Sequence, residues 1–238
     1  CEMCIRDSDW LDRRLRLNAA VFRTKWTNKQ ESILVPQADG RLTSVIRNAA
    51  DATLRGFEIE AVAYATDELS LRANLAYLRG KYGSFPGALR VNGGTPVDAS
   101  GERFSDPPWS YSLGARYETS VGAGKLAAQA DWSWVDGARP SDRLVNPNIP
   151  AALIDSLVSP CYNGACANGR ASVGLLNGRI EYHLEDTGLT IGIFATNLLN
   201  KRYQVTAVDP SGLGGVITAI TAEPRMWGVT LRKSFGDE

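Results

Sequence analysis

The 238-residue chain contains no apolar run long enough for a membrane-spanning helix, which takes about 20 residues. That excludes one way of crossing a bilayer and leaves another, because strands of about 9 to 11 residues cross it with an alternating pattern that leaves no such run. Charge of one sign is missing too: 26 Lys and Arg balance 26 Asp and Glu. The balance says little about partners, and no nucleic-acid partner is expected. Histidine is almost absent. A Ser-His-Asp triad would have to use His183, the one histidine, and no Gly-x-Ser-x-Gly elbow precedes it. Asn92 to Thr95 and Gly212 to Gly215 lack the strand, spacing and lysine of a phosphate loop. No catalytic site, metal site or cofactor is expected, and His183 reads as an ordinary residue beside a turn.

What is present is alternation, punctuated by turns and 23 glycines. Arg13 to Leu34 and Thr43 to Ala65 read as a long hairpin around Val35 to Leu42. After Thr66-Asp67-Glu68, a third strand sets Leu69, Leu71, Ala73, Leu75 and Tyr77 against Ser70, Arg72 and Asn74. A fourth carries Trp109, Tyr111, Leu113, Ala115 and Tyr117 on one face. A fifth opposes Leu126, Ala128, Ala130, Trp132 and Trp134 to Gln129, Asp131 and Ser133, and a sixth opposes Leu176, Gly178, Ile180 and Tyr182 to Asn177, Arg179 and Glu181. Leu189 to Ala195 and Pro224 to Phe235 complete eight strands. In the last, Trp227, Val229, Leu231 and Phe235 oppose Gly228, Thr230, Arg232 and Ser234, with Lys233 an exception near the end that can snorkel.

The connections sort by length. Short turns at 66–68, 119–124 and 185–188 share one end; long loops at 35–42, 83–106, 137–169 and 204–222 share the other. Outer-membrane barrels have short periplasmic turns and longer extracellular loops, with aromatic girdles at both interfaces. A soluble β-sandwich also alternates, but its strands average about five or six residues, and several here are twice that. The fold expected is all-β, an antiparallel transmembrane β-barrel.

Two motifs carry a family resemblance. One is Asn197-Leu198-Leu199-Asn200-Lys201-Arg202-Tyr203, a loop, then Pro224-Arg225, Gly228-Val229-Thr230-Leu231-Arg232 and Phe235. The other is Asn48, then Arg55-Gly56-Phe57-Glu58-Ile59-Glu60, a turn, and a strand ending Ala76-Tyr77-Leu78. In this order they resemble the C-terminal part of the barrel of TonB-dependent outer-membrane receptors. The resemblance implies that residues 9–238 are the last eight strands of a barrel of about 22, an incomplete fragment from which the plug domain is absent. It implies localisation in the Gram-negative outer membrane and energised uptake of a scarce solute, a ferric siderophore being the commonest choice. The implied partners are the TonB complex acting through the plug, outer-membrane lipid, the barrel assembly machinery and a small-molecule ligand such as a metal chelate. Phe235 would be the assembly signal, although Gly236-Asp237-Glu238 follow it here. A different reading keeps these strands as a small eight-stranded barrel with a structural or adhesive role. A barrel enzyme is the weakest reading.

Parity places Glu58, Glu60, Arg72, Asp131, Arg179, Glu181 and Arg232 on the lumen side, as a polar wall for a plug or simply a hydrated interior. Cys161 and Cys166 flank Tyr-Asn-Gly-Ala, a turn sequence that can bring the thiols together as a disulfide at a loop tip in an exported compartment. Cys1 to Ser8 have no apolar h-region of a signal peptide and resemble translated sequencing adapter, so residues 1–8 are expected to be a non-native leader.

Overall fold

The computed structural model describes residues 2–36, 42–88, 96–104, 106–137, 172–208 and 218–235. They form strands β1 (Glu2–Trp10), β2 (Leu15–Pro36), β3 (Leu42–Tyr64), β4 (Leu69–Tyr82), β5 (Trp109–Val121), β6 (Gly124–Val135), β7 (Val173–Leu184), β8 (Leu189–Thr196), β9 (Gln204–Val208), β10 (Thr218–Thr221) and β11 (Met226–Lys233). One nine-stranded antiparallel sheet runs β1-β2-β3-β4-β5-β6-β7-β8-β11. The eight expected strands are all in it. Among the described residues β1 and β11 are its edges and do not pair with each other. The structure adds two features that the alternation does not announce: β1, and a separate β9–β10 hairpin within what reads as the loop 204–222.

Antiparallel partners project to the same side of a sheet, so the register sorts side chains into two faces. One continuous rung is Glu60, Asn74, Ser112 and Ser133; the next is Val62, Arg72, Gly114, Asp131 and Asn177. Between these rungs runs Ala61, Ala73, Leu113, Trp132 and Leu176 on the opposite face. Towards the turns, Tyr117, Ala128, Ile180, Ile193 and Val229 continue the apolar face. Over β4 to β8 and β11 the apolar face carries charge only near the strand ends, whereas the longer β2 and β3 carry Arg23, Lys25 and Arg55 on it away from their ends. Among the described residues no large side chain is fully buried, and side chains such as Leu113, Ile193, Val229 and Leu231 are left exposed.

The first strand follows this order only in part. β1 places Glu2, Cys4, Arg6 and Ser8 in register with the apolar-face residues Arg23, Val21, Ala19 and Leu17, and Met3 and Ile5 in register with the polar-face positions Phe22 and Ala20. Its pairing is regular throughout, and Asp7, Asp9 and Trp10 keep the order of the sheet, in register with Asn18, Arg16 and Leu15.

Local chemistry sets the turns. Thr66 Oγ1 accepts from the backbone N–H of Glu68 and Leu69 and closes the β3–β4 turn. Between β7 and β8, a single 3-10 turn over Glu185–Thr187 ends at Gly188 with φ 61°, a conformation that glycine adopts without a Cβ penalty. The Lys233 ammonium bonds the Thr187 carbonyl at this same end, which accounts for the one lysine on the apolar side of β11. In β2 the ladder shifts register at Trp26 to Gln30, where Asn28 has φ 57° and its N–H donates to Asp51 Oδ1; this is a bulge.

Candidate functional site

The polar face is the candidate site. All seven expected residues, Glu58, Glu60, Arg72, Asp131, Arg179, Glu181 and Arg232, stand on it by register. They are spread along the wall and do not converge on one centre. Arg72 Nη2 lies 3.6 Å from Asp131 Oδ1 although β5 runs between their strands. The pair spans the strand above Gly114, where a Cβ would stand 2.9 Å from Asp131 Oδ1. Gln129 Nε2 donates to the other Asp131 oxygen at 2.7 Å. Arg179 pairs with Glu181 at 3.2 Å, and Arg232 is the register partner of Thr190.

Three further pairs on or beside this face escape a search for isolated ionisable residues: Arg116 with Glu118 at 2.8 Å, Lys125 with Glu185 at 3.1 Å, and Asn74 Nδ2 donating to Ser112 Oγ at 3.0 Å. Parity of β5 and β6 was the signal available for them. His183 Nδ1 lies 2.9 Å from Thr190 Oγ1, an ordinary cross-strand hydrogen bond. Glu58 and Glu60 differ from the rest, having no cationic partner among the described residues. They line a hollow of about 460 Å³ with Asn74, Ser112, Ser133 and Tyr203. Leu75, Val135, Val173 and Leu175 line it as well, so the hollow offers mainly apolar surface beside two carboxylates and several hydroxyls.

At the loop end, a compact cluster anchors the segment after β4. Phe85, Ala88 and Ala99 are buried with Ala50, and Tyr82 and Val97 pack against them. Tyr82 stands between Phe85 and Phe104, with ring centroids 4.8 Å and 4.5 Å away. Its hydroxyl donates to Glu31 Oε1 at 3.1 Å, and burial together with that carboxylate pushes the phenol well above its ordinary pKa. Lys29 bonds Glu31 and sits over the Tyr82 and Phe104 rings.

The two sequence motifs occupy contrasting places. Asn197, the buried polar residue of the described chain, has φ 49°. Its Nδ2 donates to the carbonyls of Lys201 and Glu223, its Oδ1 accepts from Lys201 N–H, and its own N–H donates to Asn177 Oδ1. Asn200 Oδ1 accepts from Arg225 N–H. The motif is a wired turn that ties the end of β8 to β7 and to the start of β11. In the other motif, Gly56 lies under the Phe22 ring; a Cβ there would fall 2.2 Å from the Tyr77 carbonyl oxygen and 2.8 Å from the ring. On the opposite face Phe57 and Tyr77 join Trp109, with centroids 5.8 Å and 4.6 Å from its ring. Tyr111 stacks on Trp134 at 5.3 Å and accepts from Trp132 Nε1 at 3.3 Å.

Cys161 and Cys166 lie outside the described residues. Phe235 follows β11 and is 88% exposed. Among the described residues no group of three His, Cys, Asp or Glu is placed to hold a metal ion, and no helix is long and apolar enough to cross a membrane.

No curated protein matches the chain. Solved structures do. The siderophore receptor PiuA from Acinetobacter baumannii superposes with a TM-score of 0.62 at 20% identity, over 96% of this chain and 27% of that one. The ferric yersiniabactin uptake receptor FyuA from Yersinia pestis gives 0.64 at 16%, over 97% and 29%. The copper transporter OprC gives 0.59 at 18%, over 95% and 30%. The chain therefore spans under a third of the length of these relatives, and at such identities they speak for the fold. The family model described as "TonB dependent receptor-like, beta-barrel" matches residues 5–198, most of the chain. With its motif-bearing sheet of polar and apolar faces, the chain belongs to the TonB-dependent receptor β-barrel family.

Proposed function

We propose that this chain is the C-terminal part of the barrel wall of an outer-membrane receptor for energised uptake of a scarce solute, with a ferric siderophore as the first candidate. The observation that carries the reading is the two-faced sheet: one face polar from β2 to β11, the other apolar between aromatic rims. In this reading the apolar face meets lipid, the polar face lines a lumen of about 22 strands, short turns face the periplasm, and the loop end with its Tyr82 cluster faces outside. Glu58, Glu60 and the ion pairs form the wall on which a plug rests, and Phe235 presents the barrel to the assembly machinery. The TonB complex acts through the plug. An open sheet edged by β1 and β11 favours this over a small closed barrel with an adhesive role.

The test is uptake. Cells expressing the complete gene, and cells lacking it, are grown under iron limitation with single purified ferric siderophores, and radioactive iron accumulation is measured with and without an intact TonB system. TonB-dependent accumulation of one chelate is expected. Accumulation of copper but of no iron chelate would replace the substrate class, and equal accumulation in both strains would remove the uptake reading.

A further inference from the structure

The bulge in β2 changes what the strand shows to the polar face. Up to the bulge that face takes Phe22, Thr24 and Trp26, in register with Gly56, Leu54 and Ala52. Unbroken alternation would send Lys29 to the apolar side with Leu17, Ala19 and Val21. The register shift instead sets Lys29 beside Ala50, which shares the face of Ala52, and bulges re-aim side chains in this way. The Lys29 ammonium then lies over three rings, 5.8 Å from the Trp26 centroid, 5.8 Å from Tyr82 and 5.4 Å from Phe104, and it bonds the Glu31 carboxylate.

The register sets the walls of this box. Trp26, Ala52 and Tyr82 form one rung, so the two rings stand on either side of a single methyl group. Phe104 lies over Gly80, where a Cβ would fall 2.2 Å from its ring. Glu31 closes the box and accepts from the Tyr82 hydroxyl at 3.1 Å. Burial first, and then the charges of Glu31 and Asp106, act on that hydroxyl, so two carboxylates stand against one ammonium. Rings with an acid beside them suit an organic cation, and the chain's own lysine fills the place loosely. Its nitrogen is drawn to Glu31 and stands from all three rings near the limit of about 6 Å at which the attraction acts. A nitrogen that carries methyl groups fills that gap. Lys29 is free to leave, because its head is strongly hydrated on a flexible stem and its side chain is already 25% exposed.

We infer that Trp26, Tyr82, Phe104 and Glu31 form a binding box for a methylated ammonium group of a solute, with Lys29 as a tethered competitor that the solute displaces. The site rests on the uptake reading above, which puts the polar face in the lumen and this box at its outer mouth. It narrows the solute to one that carries a quaternary nitrogen. A tethered group acts at an effective concentration in the millimolar range, so Lys29 keeps out weakly held cations and yields to one that the rings grip better.

The test uses the receptor expressed from its complete gene and purified in detergent from whole cell membranes. Choline and 3,3-dimethylbutan-1-ol, the uncharged molecule of the same shape, are titrated in turn, with binding read by calorimetry. The wild type is expected to bind choline and not the alcohol. Lys29→Ala should bind choline about tenfold more tightly, since the tethered competitor is gone. Adding Trp26→Ala to that variant should lose roughly tenfold, the worth of one desolvated ring. Trp26 is 41% exposed, so its loss leaves the fold standing, and Trp109→Ala on the other face serves as the control that changes nothing. No choline binding by the wild type, equal binding of the alcohol, or an affinity that neither Lys29→Ala nor Trp26→Ala moves would each overturn the box. Choline binding by a receptor that is absent from the outer-membrane fraction would overturn the membrane reading and leave the box, whereas a heat-modifiable outer-membrane barrel that ignores choline would overturn the box alone.

Discussion

At Asn197 to Lys201 the chain leaves the sheet through a turn whose every bend is answered by a side-chain amide. At Arg55 to Glu60 it stays in the sheet, and what distinguishes the segment is a missing side chain, the space above Gly56 that Phe22 fills. Both segments carry the resemblance read from the sequence, and they are held by opposite means. One depends on hydrogen bonds that cannot be replaced locally, the other on steric room between two strands. The difference teaches that these motifs mark places where the backbone has one solution, whereas the ion pairs of the polar face are exposed and exchangeable.

The sharpest way to break the contrast is Asn197→Ala. It strands the carbonyls of Lys201 and Glu223 and the N–H of Lys201 and puts alanine at a φ of 49°, so a loss of about 2–4 kcal/mol is expected from the unsatisfied groups. Urea midpoints of the complete receptor in lipid vesicles measure it. Asn197→Gly, which relieves the backbone but not the hydrogen bonds, should recover only a minor part, and full recovery would assign the motif to backbone conformation alone.

Gly56→Ala comes next, at about 1–3 kcal/mol of overpacking. Adding Phe22→Ala removes the ring but leaves the Tyr77 carbonyl oxygen 2.2 Å from the new carbon, so the double variant should remain destabilised in the same assay. Rescue would move the constraint from backbone to ring.

Tyr82→Phe, which removes the hydroxyl donated to Glu31, should cost about 1 kcal/mol. The same residue sets a pH dependence. Its pKa is raised in the folded chain relative to the ordinary 10.0, so its contribution is fully present below pH 10 and is lost as pH rises above that value, when only the unfolded chain ionises readily. Ultraviolet difference titration should find one phenol that ionises after the exposed tyrosines; its absence in the Tyr82→Phe variant makes the assignment. At the small end, Asp131→Asn should shift the midpoint by under about 1 kcal/mol, because both partners of the pair with Arg72 are substantially exposed, and added salt should erase the difference.

The two faces were legible because period-two alternation is a local property: Leu69 to Tyr77 and Leu126 to Trp134 declare their sides without help from neighbours. The register then aligns them, and the seven polar residues fall on one wall as parity requires. What could not be read is what depends on distant pairs. That Arg72 reaches Asp131 over Gly114 needs three strands in place. The Tyr82, Phe85 and Phe104 cluster draws on a loop whose sequence looks merely rich in turns. The β9–β10 hairpin is short, and its alternation is too brief to stand out.

The order of the sheet carries a kinetic meaning. From β1 to β8 every strand lies beside the strand that precedes it in the chain, so each pairing needs only a local or loop-length closure and can build on the last. Partners still lie far apart in sequence, as Leu15 and Ala63 do or Gly124 and Leu184, so growth is stepwise but slow. The exception is β11, which must find β8 across the Asn197–Arg225 segment with a separate hairpin in between. A loop of that length closes at an entropic cost that grows only slowly with its length, and the amide network at Asn197 fixes both of its ends at once. The turn that looks like a static clamp is thereby the latch on which the final strand addition waits.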